Sequence, residues 1–341
     1  MTNKVLILTG IAAVALGAAA LSGATRPLVV QTNSAGDDVT VIDPATNKVF
    51  GVIHDIEVPH GVAIAPDGGK IYITDEPLKT LDVVDAMTLK VEKRIPLSGR
   101  PNNLDVTKDG KRVYVAIIQA PGAVDVIDTA SMTKVASVPT TGGIHNVYVT
   151  PDNKYAVAGS TGSKVLHVID IATNTVAWTL KMSGGIRPMA FTKNTDGSTK
   201  EIVVQLTDFH GLAVVNFATH EEVKRVTLPD IPGEKRTTDG IQGSPAHGLA
   251  ITPDGKTLWT TSKYYDYVAA YSLPDYKFIK TVPVGLHPEW LTIPPDGKTL
   301  YVAVAGKDAT VAVDIKTMKV VAEIPVGYVP KRITSGMVQT H

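Results

Sequence analysis

Three histidines, His60, His145 and His247, stand just ahead of an apolar run in near-copies of one phrase: "VPHGVAIAPDGGKIYITDE", "GGIHNVYVTPDNKYAVAGS" and "SPAHGLAITPDGKTLWTTSK". Neutral imidazoles converging from three directions can bind copper, zinc or iron, and three ligands with one open position is the arrangement that zinc uses for catalysis. His210 or Glu289 would then supply a fourth ligand or a general base, and the chemistry would be that of a metal-dependent oxidoreductase or lyase. The remaining copies of the phrase place Asn102, Arg187, Glu289 and Lys331 at the same point. Arg187 and Lys331 would oppose a metal cation nearby. They suit instead an anionic or polar ligand, which they would hold by charge-assisted hydrogen bonds.

A second set of polar residues follows each copy. It comprises Asp75 and Glu76, then "TDFHG" with Asp208, Phe209 and His210, then "KYYDY" with Tyr264, Tyr265, Asp266 and Tyr267. Tyr264 and Tyr265 combine a broad apolar ring with a polar tip, which serves a planar ligand or a protein interface. His287 is a secondary candidate, and His54 is expected in a strand end or loop near the same ring. His167, His220 and His341 read as structural or solvated. Nucleophile elbow, phosphate-binding loop, dinucleotide fingerprint and EF-hand motifs are all missing.

The elements that must position these residues come from an internal repeat. Phrases such as "VTVIDPATNKVFGVI", "LDVVDAMTLKVEKRI" and "VAVDIKTMKVVAEI" recur seven times. Each reads as a β-branched strand, a polar turn and a second strand. A further hairpin precedes six of them, with turns such as "APDGGK" and "TPDGKT" in which Pro fixes φ and Asp bonds back to the backbone. Two hairpins make a four-stranded sheet, and a period of roughly forty residues is that of a propeller blade. The expected fold is therefore all-β: a seven-bladed β-propeller of four-stranded antiparallel blades. Its innermost strands open blades I to VI at 59–98, 99–141, 142–183, 184–230, 231–284 and 285–326. Blade VII is composite: three strands from the N-terminal segment pair with one from "YVPKRITSGMV", which closes the ring. All seven aligned residues then fall at one mouth of the central channel.

The phrases "PDGKTLYVAVAG", "VIDPATNKVFGVI" and "KVVAEIPVG" resemble the YVTN-repeat (YncE-like) family of exported propellers across essentially the whole chain after residue 24. That resemblance implies an extracytoplasmic seven-bladed propeller acting as a binding or surface protein.

Composition narrows the partners. Lys plus Arg and Asp plus Glu both number 33, so no net field draws the chain to nucleic acid. The opening "MTNKVLILTGIAAVALGAAALSGATRP" joins Lys4 to an apolar run ending in small residues, which reads as a signal peptide over 1–24 with a periplasmic or secreted destination. Residues 25–341 then form one propeller domain, expected to be a monomer without a membrane span. The chain has no cysteine, which excludes disulfides, thiolate metal sites and covalently attached c-type haem. Three readings follow: a module for a small polar ligand or extracytoplasmic protein, a metal enzyme, and a structural surface protein.

Overall fold

Each repeat supplies β-branched runs that cannot bury both faces alone, and stacking blades face to face buries them. The computed structural model describes residues 24–236 and 244–340. The expected signal segment, part of the long connection into blade V and His341 lie outside the described residues. Seven four-stranded antiparallel sheets are arranged as the repeat requires. Blade I runs from its innermost strand, Pro59–Ile64, to its outermost, Lys90–Pro96. In blade VII the C-terminal strand Pro330–Thr340 is innermost and pairs with Ala24–Asn33, matching Val29 with Ser335 and Val30 with Thr334. All seven sheets are built from residues 24 onward.

The cores lie between the blades. One cluster joins Leu28, Val30 and Val41 of blade VII to Ile71, Ile73 and Val84 of blade I. Equivalent clusters fill the other gaps, for example Ala269 and Leu258 of blade V against Val203 and Leu212 of blade IV. Middle strands are therefore covered on both faces and read as continuous apolar runs, whereas the outermost strands alternate toward solvent.

Two features bear on the mouth. Most innermost strands carry an irregularity at or beside the aligned position, between Pro59 and Val62, Pro101 and Leu104, Ile144 and Asn146, Ile186 and Met189, and Pro288 and Leu291. In blade V the innermost strand shrinks to Leu249–Ile251, so His247 precedes it. Glycine follows His60 and His247 because the next blade is too close for a side chain. A Cβ on Gly61 would stand 2.6 Å from the Asn102 carbonyl oxygen, and one on Gly248 2.7 Å from that of Glu289.

Candidate functional site

A belt of threonines sets the backbone at the mouth. Thr74, on the second strand of blade I, accepts a hydrogen bond from Gly61 N–H (2.7 Å) and donates to the Asn102 carbonyl of blade II (2.7 Å). Thr261 of blade V accepts from His247 and Gly248 N–H (3.1 and 2.8 Å) and donates to the Glu289 carbonyl (3.1 Å). Thr32 repeats the pattern, accepting from Arg332 N–H and donating to the His60 carbonyl (3.2 and 3.0 Å). One hydroxyl thus fixes an aligned residue against the neighbouring blade. Thr74→Val keeps the shape but strands a buried N–H and a buried carbonyl, so it should cost about 2 kcal/mol in urea unfolding.

On this backbone the polar side chains pair around the channel. His60 donates from Nδ1 to Glu76 Oε1 (2.8 Å), and Arg100 lies 3.7 Å from the other Glu76 oxygen. Arg187 donates to His145 Nε2 (2.8 Å), so His145 carries its proton on Nδ1 and donates it to Asn146 Oδ1 (2.5 Å). His247 donates from Nδ1 to Glu289, whose other oxygen accepts from Lys263 Nζ at 2.7 Å. The His145 and His247 rings stand 6.4 Å apart, and Trp290 meets His247 edge-on at 4.0 Å.

Burial dominates the protonation of this cluster. It holds His60 at about 4 against the pull of Glu76, and His247 at about 3 against the pull of Glu289. It also holds His145, further disfavoured by Arg187 and Arg332, well below the usual histidine value. Burial works to raise Glu289, but His247 and Lys263 outweigh it and keep this carboxylate far below its usual range. The histidines are neutral and the carboxylates charged at neutral pH.

Arg332 is the group that the aligned positions missed. It follows Lys331, is only 2% exposed, and stacks 3.6 Å from the centre of the Trp290 ring. One Nη donates to Asn102 Oδ1 (2.5 Å), while Nε and the other Nη have no partner. Burial lowers its pKa to about 10, so it stays charged. Arg187 Nε and His247 Nε2 are likewise buried and unpartnered. Lys263, Trp290 and Asn146 were missed as well; Asn146, Trp290 and Arg332 each directly follow an aligned residue.

Other expected site residues are held elsewhere or occupied. His210 bonds Ser262 Oγ at 2.8 Å through Nε2 and sits beside Tyr264 and Tyr265, with ring centres 5.1 and 5.9 Å away. Tyr264 and Tyr265 line a separate cavity of about 450 Å³ with Ile231 and Lys235, apart from the aligned ring. His54 lies at a strand end, as expected: it closes the outermost strand of blade VII and is exposed. The carboxylate of Asp75 accepts from Glu57 and Leu78 N–H (both 2.9 Å) and serves the turn. A cavity of about 660 Å³ opens on the opposite face, lined by Lys108, Phe191, Lys200 and Pro253. Volume and chemistry therefore separate, and the buried polar groups point to the mouth.

The residues do not fit the metal centre expected from three histidines. Both ring nitrogens of His145 are engaged, His60 faces Glu76, and His247 spends Nδ1 on Glu289. Among the described residues no group of three or more His, Cys, Asp or Glu side chains is placed to hold a metal ion. Arg187, Lys263, Lys331 and Arg332 also make the mouth hostile to a cation. Among the described residues no helix is long and apolar enough to cross a membrane.

Residues 134–322 match the family model described as lactonase, seven-bladed beta-propeller. No curated protein matches the chain in sequence. Similar solved structures include hydrazine synthase of Kuenenia stuttgartiensis, with 25% identity, TM-score 0.73 and coverage of 84% of this chain and 91% of that one. The periplasmic gluconolactonase of Pseudomonas aeruginosa shares 18% identity with TM-score 0.70, covering 92% and 99%. A dihydro-heme d1 dehydrogenase shares 16% identity with TM-score 0.65, covering 90% and 74%.

Proposed function

Because the chain belongs to the seven-bladed lactonase propeller family, we propose that it is an exported, YVTN-type propeller that binds a small anionic ligand at the polar mouth of its channel. The observation that carries this reading is Arg332, a guanidinium 2% exposed with two nitrogens unpartnered. A buried charge left in this condition is costly, and a carboxylate or phosphate would satisfy both nitrogens at once. Arg187 and Lys331 add positive charge, Asn102 and His247 add hydrogen-bonding groups, and Trp290 backs the Arg332 plane. Neutral histidines suit recognition better than proton transfer, since a base held near 3 is weak at neutral pH.

A second reading, hydrolysis of a cyclic ester, is favoured by the family and by the Glu289–His247 pair, which leaves Nε2 free. There, Nε2 would take a proton from water as its oxygen attacks the ester carbonyl. Arg187 and Arg332 would face the resulting oxyanion, and the proton would pass to the departing ring oxygen.

Titration calorimetry with gluconate and inorganic phosphate tests the first reading, and alkali uptake with gluconolactone tests the second. Arg332→Met should weaken anion binding by about 30-fold, as expected for lost charge-assisted bonds, without lowering Tm, because an uncompensated buried charge is removed. Equal anion affinity in wild type and Arg332→Met would sink the binding reading. Lactone turnover unchanged in His247→Gln would sink the hydrolytic one.

A further inference from the structure

Each outermost strand carries a bulge one turn after the hairpin on the face opposite the mouth, where the register jumps by one residue. The bulged residue and the one before it read Val91–Glu92, Lys134–Val135, Val176–Ala177 and Glu222–Val223 on blades I to IV. On blades V, VI and VII they read Phe278–Ile279, Val320–Val321 and Val49–Phe50. All six of these side chains are 41–53% exposed. A lysine precedes each pair, Lys277, Lys319 and Lys48, and Lys280 and Lys316 are exposed beside them. Three consecutive blades thus share a lysine–apolar–apolar corner at one rim.

The chain also enters the ring at this rim. Ala24 pairs with Thr340, and Arg26 lies 5.1 Å over the Phe50 ring while bridging to Asp43 of the adjoining turn. The preceding residues contain the apolar run from Val5 to Leu21. Exposed apolar pairs of this kind are rare on a surface that faces only water.

We propose that the opposite-face rim of blades V, VI and VII rests on an anionic lipid bilayer, its six apolar side chains dipping into the interface and its lysines facing the headgroups. Lipid fits this rim better than a second copy of the chain. The bulges interrupt the strand ladder that edge-to-edge pairing requires, and the lysines repel their own kind. Asp275, 3.7 Å from Lys277, and Asp314, which interacts with Lys316, offset part of the lysine charge. The mouth would then open away from the membrane.

The test uses the chain from Ala24 onward, which contains all seven sheets, sedimented with phosphatidylcholine vesicles with and without phosphatidylglycerol. Co-sedimentation is expected with the mixed vesicles, weakening at high salt. The Val320→Glu/Val321→Glu double variant should lose at least about tenfold in partitioning with unchanged Tm, and Lys319→Gln about fivefold. Val135→Glu and Val223→Glu, on blades II and IV, should bind as wild type. Absence of wild-type binding to the mixed vesicles, or full retention by the double variant, overturns the proposal. So does a dimer in light scattering that the double variant dissolves.

Discussion

Lowering the pH from 7.5 to 5 is expected to destabilise the propeller by several kcal/mol. His60 and His210 are held by burial at about 4, and His247 at about 3, against an ordinary 6.5. A histidine whose folded pKa is depressed binds its proton first in the unfolded chain. Its stabilisation is whole above 6.5 and is lost as pH falls from 6.5 toward the folded value. Each such histidine costs about 2 kcal/mol by pH 5, and His145 moves the same way. Glu76 and Glu289 are depressed too, and add to the loss only below the usual carboxylate range. Thermal midpoints measured in steps across this window should fall steeply, and His247→Asn should flatten the slope. A midpoint that stays level from pH 7 to 5 would contradict neutral buried histidines.

Replacing Glu289 by leucine is the most damaging single change at the mouth. It removes the carboxylate that pairs with Lys263, whose side chain is 1% exposed, and the acceptor for His247. Breaking a buried ion pair by removing one partner costs about 3–5 kcal/mol. Adding Lys263→Met should recover most of that loss, because the pair would be replaced by apolar groups of similar volume. Urea unfolding of wild type, both single variants and the double variant gives the coupling energy. A Glu289→Leu chain within 0.5 kcal/mol of wild type, on the order of experimental error, would mean that the pair is solvated.

The repeats made the architecture legible, because every blade must bury the same faces and therefore writes the same phrase. The composite blade was legible too, since "YVPKRITSGMV" is an innermost strand without followers and the N-terminal segment is the reverse. The aligned histidines also lie where the repeat puts them. Their chemistry was hidden because hydrogen-bond partners come from other blades: Arg187 reaches His145, and Lys263 reaches Glu289. Arg332 was hidden for a different reason. Alternation in a strand allows one inward residue of every two, and the irregular innermost strands break that rule. Two adjacent residues, Lys331 and Arg332, can then both reach the cluster. Consecutive polar letters inside an apolar run, as in "PNNL", "IHNV" and "PKRI", were the available signal.

The pairing of Ala24–Asn33 with Pro330–Thr340 has a consequence for how the molecule is made. Ala24–Asn33 leaves the ribosome before every other described strand and has no inner neighbour until Pro330–Thr340 follows. Synthesis of the intervening chain takes roughly 15–60 s at ordinary elongation rates. Throughout that interval the nascent protein is an open ribbon of blades, with Val29 and Ile42, which pack against Tyr301 and Ala312 of blade VI, uncovered on one side. A chaperone that holds this hairpin would be needed only for that interval.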